Sequence, residues 1–303
     1  MTRLRLATAE EAREVLAAED GFTRALGSFD RSFRMRTTEA VSDAELRAFL
    51  GEQALDFGAD EAEAWDAAIA DVARGARGMG HALPDEVLVV KTTGREERNL
   101  AYTRGNAIVL PAVRVERLRG ARAIYLLSHE LFHVASRTSP ALRDATYALL
   151  GFTPLAPIAP PIELDTRRMT NPDAFVLGHS IRLTSRTGER AVVPLLSCPV
   201  PLAEAIGRDS VLETVRVALL EVDPTAEAVV RDADGAPMTL EVEATDWSRR
   251  LARNTRYTIH PEEVLADNLA LLVRRRLGHD VTIADPAFLD AFEDALRPGA
   301  GPG

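Results

Sequence analysis

Along most of the chain, apolar positions recur at intervals of three and four, the spacing that lines one face of a helix. From Thr8 to about Gly80 this spacing is nearly continuous. Thr8 precedes Glu10 and Glu11, Ser42 stands three residues before Glu45 in a capping-box pattern, and Asp60 to Arg77 is an Ala-rich stretch closed by Gly78 and Gly80. The rhythm changes at Pro84. Glu86 to Thr93 reads as a strand, Gly94 to Asn99 as a turn, and Ala101 to Pro111 as one or two further strands. Beyond them, Ala123 to Ala135 is apolar or aromatic at every position except Ser128, His129, Glu130 and His133. The stretch predicts a buried helix ending near Arg137, with Pro140 just beyond.

After a short helix over Ala141 to Leu150, a proline-rich passage from Phe152 to Ile162 predicts extended chain. Thr170 to Ala174 has turn chemistry, and strands follow over Phe175 to Thr184 and around Cys198. Gly207 to Val222 reads as helical, Gly235 as a turn between short strands, and Thr245 to Arg253 as a helix. A last strong helix runs from Pro261 to Arg276, with Glu262 and Glu263 at its positive end, three arginines in its last turn and Gly278 after it. The domain organisation expected is a helical region over 1–80, a catalytic domain over 81–297 with a strand-rich insertion at about 155–245, and a flexible tail over 298–303.

Composition narrows the function classes. A net charge of −10 over 303 residues argues against a nucleic-acid footprint and against an anionic membrane surface. No apolar run approaches a membrane span, and no continuous apolar stretch precedes the first acids, so neither a membrane anchor nor a secretory signal is expected. A single cysteine, Cys198, rules out an intrachain disulfide and reads as a small buried apolar residue. A cytoplasmic location is the expectation.

The chemistry concentrates in the apolar helix. His129, Glu130 and His133 spell H-E-x-x-H, and a helix stacks residues i and i+4 on one face, so the two imidazoles converge on one point. That geometry suits Zn2+, with Glu130 placed to reach a water without being a ligand. A catalytic zinc takes three protein ligands, and Glu263 is the expected third. It stands four residues before Asp267, so one carboxylate can ligate while the other anchors the far nitrogen of a ligating histidine. Glu262, His260 and Asp267 are the alternatives; Glu262 otherwise reads as dipole compensation. His81 reads as a solvated loop residue and His179 as a strand position.

H-E-L-F-H followed on a later helix by E-V-L-A-D resembles the gluzincin branch of zinc metallopeptidases, the thermolysin-like group. Ala101 to Pro111 and Asn254 to Glu263 are also similar to a set of uncharacterised bacterial metallopeptidases. The resemblance implies His129, His133 and Glu263 as zinc ligands, Glu130 as base, Asp267 as their supporting partner, and Asn106 and Ala107 as contacts on a substrate-binding edge strand. An internal hairpin strand is the alternative for that last pair. It implies an α+β fold with a zincin-like core, a small mixed sheet over the motif helix and a helical lobe carrying the third ligand. About 130 residues separate the motifs, far more than in thermolysin-like enzymes. No histidine motif marks a transition-state donor, and Tyr257 and His260 are the nearest candidates. The expected activity is hydrolysis of a peptide or protein substrate, with no nucleic-acid or membrane partner. A zinc hydrolase of non-peptide amides or esters, or a zinc-containing binding protein without activity, is the alternative.

Overall fold

The computed structural model describes residues 2–211 and 213–298, and its fold is α+β. A five-stranded mixed sheet lies under the motif helix. β1 (Arg3–Leu6), β3 (Glu86–Thr92) and β5 (Ala107–Pro111) are parallel neighbours, β4 (Tyr102–Arg104) runs antiparallel to β5 at the edge, and β2 (Ala54–Leu55) pairs antiparallel with the end of β3. Both faces are covered, which explains why these strands read as unbroken apolar runs. Leu88, Val90, Ala107 and Val109 face one way, toward α1 (Ala9–Ala17) and α4 (Asp43–Glu52). Val87, Val89, Ile108 and Leu110 face the main core, with α5 (Ala59–Gly75) and the motif helix.

The N-terminal caps form as their sequences predict: the Thr8 hydroxyl accepts from the Glu11 amide and the Ser42 hydroxyl from the Glu45 amide. Two short helices, α2 (Gly21–Ala25) and α3 (Ser28–Arg34), complete this region. A boundary at residue 80 is nevertheless corrected, because β1 and β2 join the sheet built on β3 and the helices share its core.

α6 (Ala112–Arg117) leads into the motif helix α7 (Ala121–Thr138), followed by α8 (Pro140–Ala148). A second, seven-stranded antiparallel sheet then forms from β6 (Phe152–Pro154), β7 (Arg168–Met169), β8 (His179–Ser185), β9 (Gly188–Ser197), β10 (Arg216–Asp223), β11 (Ala228–Val229) and β12 (Thr239–Glu241). Its strands lie between Phe152 and Glu241, and one expectation in this stretch is corrected. Among the described residues only α9 (Leu202–Ala205) is helical near Gly207, and the second half of the stretch expected to be helical is β10. Its alternating Val217, Leu219 and Glu221 pair with Leu196, Pro194 and Val192 of β9, and this partner decides the conformation. Leu212, inside that stretch, and 299–303 of the expected tail lie outside the described residues.

α10 (Trp247–Leu251), α11 (Pro261–Arg276) and α12 (Pro286–Ala295) close the chain. α11 is buried from Pro261 to Ala270, between α7 and α5. Its approach to α5 is close: a Cβ on Gly75 would fall 2.7 Å from Val273 Cγ1. No helix among the described residues is long and apolar enough to cross a membrane.

Candidate metal centre

α7 and α11 lie antiparallel, because Tyr125, His129 and His133 meet Asp267, Glu263 and Glu262 in reverse order. The i, i+4 spacing puts both imidazoles on the α11 side of α7, their centroids 4.9 Å apart and nearly perpendicular. His129 Nε2 is 3.2 Å and His133 Nε2 3.7 Å from the same atom, Glu263 Oε2. Ligand atoms of these three residues all lie within 4.8 Å of one another. Two nitrogens and one carboxylate oxygen converging in this way form a set that could hold a divalent metal ion.

Each imidazole is oriented from behind. His129 Nδ1 is 2.9 Å from Asp267 Oδ1, whose carboxylate also accepts from the hydroxyls of Tyr125 and Thr255. His133 Nδ1 is 3.1 Å from Glu262 Oε1, and Glu262 Oε2 accepts from Ser136 (2.9 Å) and Tyr147 (2.7 Å). The dipole reading of Glu262 is therefore corrected: the residue is 1% exposed and positions a histidine. The Glu263 to Asp267 spacing assigns such a carboxylate to one imidazole only; asking for one behind each would have found Glu262.

Two further residues come from a segment that read only as a turn. The strap Thr170–Asp173 crosses from the second sheet, and Asn171 Nδ2 donates to Glu263 Oε1 at 2.8 Å. Asp173 lies with ligand atoms of Glu130 and His133 in a second group within 4.8 Å. Buried anchors hold the strap: Asp30 accepts from the Thr170 amide and hydroxyl at 2.7 Å each, and Arg34 donates to the Thr170 carbonyl. Thr103 of β4 donates its backbone N–H to Asp173 Oδ1 at 2.8 Å, and Arg137 donates to the Pro172 carbonyl.

His129, His133, Glu263, Asp267, Asn171 and Asp173 line a cavity of about 730 Å³ that also receives Tyr102, Tyr125 and Tyr257. Glu130 is 3% exposed there, and among the described residues its Oε2 has no hydrogen-bond partner. An orphaned buried carboxylate oxygen calls for a water or cation opposite it. Burial, then the charge of Asp173, raises the Glu130 pKa to about 8. For His133, burial opposes the charged form, but the charges of Asp173 and Glu263 outweigh it and raise the pKa to about 9. His129 is likewise held above its ordinary range, burial being outweighed by hydrogen bonds to Asp267 and Glu263. Burial would raise Glu263, yet the His133 charge and the His129 hydrogen bond lower it to about 2. The three raised values express an acid-rich site short of positive charge, and the lowered Glu263 is the carboxylate that the two imidazoles compensate.

Other expected residues fall elsewhere. Asn106 is an exposed turn residue after Gly105, whose φ of +53° permits the two-residue hairpin, and its side-chain amide donates to the Glu86 carbonyl. Ala107 is fully buried in β5, between β3 and β4. The edge position expected for this pair belongs instead to β4. His260 caps α11, its Nδ1 accepting from the Glu262 amide, and it faces a separate cavity of about 280 Å³. Burial lowers its pKa to about 4, which keeps the ring neutral. Placing His260 opposite the reacting atoms is thus corrected to a capping role, whereas Tyr257 lines the cavity with Glu130, its phenol held neutral by burial and by Glu263. His81 is an exposed loop residue, and His179 in β8 pairs with Asp144.

Comparison with protein-family models, with curated proteins and with solved structures finds no match for this chain.

Proposed function

We propose that this protein is a zinc metallopeptidase of the gluzincin type, with α7, α11 and the mixed sheet forming a zincin-like core. The reading rests on one observation: two imidazole nitrogens and the Glu263 carboxylate converge beside Glu130, whose buried Oε2 has no partner among the described residues, at the wall of a large cavity. His129, His133 and Glu263 would hold the zinc. When bound, the metal supplies Lewis acidity, polarising the scissile carbonyl and acidifying a water.

The remaining work falls to side chains. Glu130 takes the proton as water adds to the carbonyl carbon, then passes it to the leaving amine as the C–N bond breaks. Water is thereby divided between the new carboxyl and the new amine. Tyr257, a neutral phenol, donates to the developing oxyanion. Asp267 and Glu262 fix the imidazole tautomers so that both Nε2 atoms face the ligand position.

Elemental analysis of the purified wild type and of Glu263→Ala tests the ligand set. About one zinc per chain is expected in the wild type, largely lost in the variant. Glu130→Gln should keep the metal while turnover of a peptide library falls by about 10²- to 10⁴-fold. Turnover retained in that variant would remove Glu130 as the base.

A further inference from the structure

The cavity is electrically polarised along its length. At one end Asp173 joins Glu130 and His133 within 4.8 Å. Both Thr103 hydrogen bonds to Asp173 fall on Oδ1, and among the described residues no donor reaches Oδ2. Toward the other end, the same wall of α7 carries Leu126 and then Arg122, two turns before Glu130. α11 runs the opposite way, so Arg274 comes to that end too, near enough to Tyr125 to act on its hydroxyl. Arg114 of α6 lines the cavity one turn before Leu118. Among the described residues, no ion pair joins a carboxylate to any of these three guanidiniums; the Arg274 side chain donates to the Asp280 carbonyl.

The acidic end is also closed. Thr103 is the residue whose backbone N–H points off the β4 edge, and Asp173 occupies it. Asp173 lines both the large cavity and the smaller one behind it, so the strap is the partition between them. A chain lying along β4 therefore has one terminus at the strap, and the Asp173 carboxylate there suits an ammonium.

We infer that the cavity binds short peptides with both termini free, the ammonium seated on Asp173 and the carboxylate on Arg122 and Arg274, so that the first peptide bond is the one presented to Glu130. The inference rests on the peptidase reading for its chemistry, while the binding it describes can be measured alone. An ammonium on Asp173 places the first carbonyl carbon, two bonds away, beside Glu130. From Glu130 to Arg122 is about 12 Å along the helix axis, at 1.5 Å per residue. At roughly 3.4 Å per residue an extended peptide crosses that distance in about three to four residues.

The test uses full-length, zinc-loaded Glu130→Gln protein and tetraalanine in three forms, with free termini, N-acetylated, and C-amidated, each titrated by calorimetry. Acetylation removes the charge that Asp173 meets and should weaken binding at least about 30-fold. Amidation should weaken it about fivefold, since the arginines are more solvated. Asp173→Asn, which keeps an acceptor for Thr103, should abolish the discrimination between free and acetylated peptide, and Arg122→Gln should reduce that between free and amidated peptide. Equal binding of the free and acetylated forms, or no binding of the free form at millimolar concentration, overturns the inference. Selective binding together with wild-type protein that leaves every form uncut would instead count against the peptidase reading.

Discussion

At the scale of single residues, the candidate site depends as much on groups that never touch a metal as on those that would. Glu262 holds His133 Nδ1 at 3.1 Å and is itself fixed by Ser136 and Tyr147. Removing it frees the ring to rotate and leaves two hydroxyls unpaired. We expect Glu262→Ala to lower zinc affinity by about 10- to 100-fold, read by competition with a chromophoric chelator. Glu262→Gln, whose carbonyl oxygen still accepts from Nδ1, should lose less. Asn171→Ala removes one neutral donor from Glu263 Oε1, which still faces His129 and His133 through Oε2, so its effect should be smaller than that of Glu262→Ala. Equal losses in Glu262→Ala and Asn171→Ala would mean that the strap, and not the carboxylate behind His133, sets the geometry.

At the scale of elements, α11 is the piece on which the site turns, since it carries Glu262, Glu263 and Asp267 and is pressed between α7 and α5. Gly75 makes that packing close. Gly to Ala within a helix ordinarily adds up to about 1 kcal/mol of stability. Here the new Cβ would meet Val273 Cγ1 at 2.7 Å and the Val273 carbonyl at 3.2 Å, and overpacking of this kind costs about 1–3 kcal/mol. The clash should win, so Gly75→Ala is expected to lower the urea midpoint, and an unchanged or raised midpoint would show that α11 can shift freely. These same helices were the most legible part of the chain. H-E-x-x-H, the Glu263 to Asp267 spacing, Pro261 and Gly278 are local signals, and each acts within a turn or two of helix. The strap was not legible, because Thr170 to Ala174 looks like any turn until Asp30 and Arg34, some 140 residues earlier, hold Thr170 in place. β10 and the true edge strand were missed for the same reason, since pairing partners and not local periodicity decided them.

At the scale of the whole molecule, the metal-free fold encloses more acid than base and borrows protons to balance it. His133 has a pKa of about 9 and His129 sits above its ordinary range, so both rings are protonated at neutral pH, while Glu130 at about 8 is mostly neutral. The sign for stability follows from linkage: a histidine whose folded pKa exceeds its unfolded value of about 6.5 contributes stability that is complete below 6.5 and lost as pH rises toward 9. Glu130 acts the same way, its raised pKa disfavouring the fold as it ionises. The metal-free protein should therefore melt at steadily lower temperature from pH 6.5 to 9. Zinc cancels that slope, because it binds neutral imidazole and must displace both protons, so the stability it adds rises with pH as fast as the metal-free fold loses it. Its affinity should rise with pH by about one order of magnitude per unit for each proton displaced, for His133 up to about pH 9, and the stabilisation it adds should rise with it. Glu263, lowered to about 2, contributes no proton to this exchange. Scanning calorimetry with excess zinc and with excess chelator across this range reads both slopes at once. A falling curve with chelator and a nearly flat one with zinc are the expected result, and parallel falling curves would mean that the two imidazoles do not carry the charge that the metal replaces.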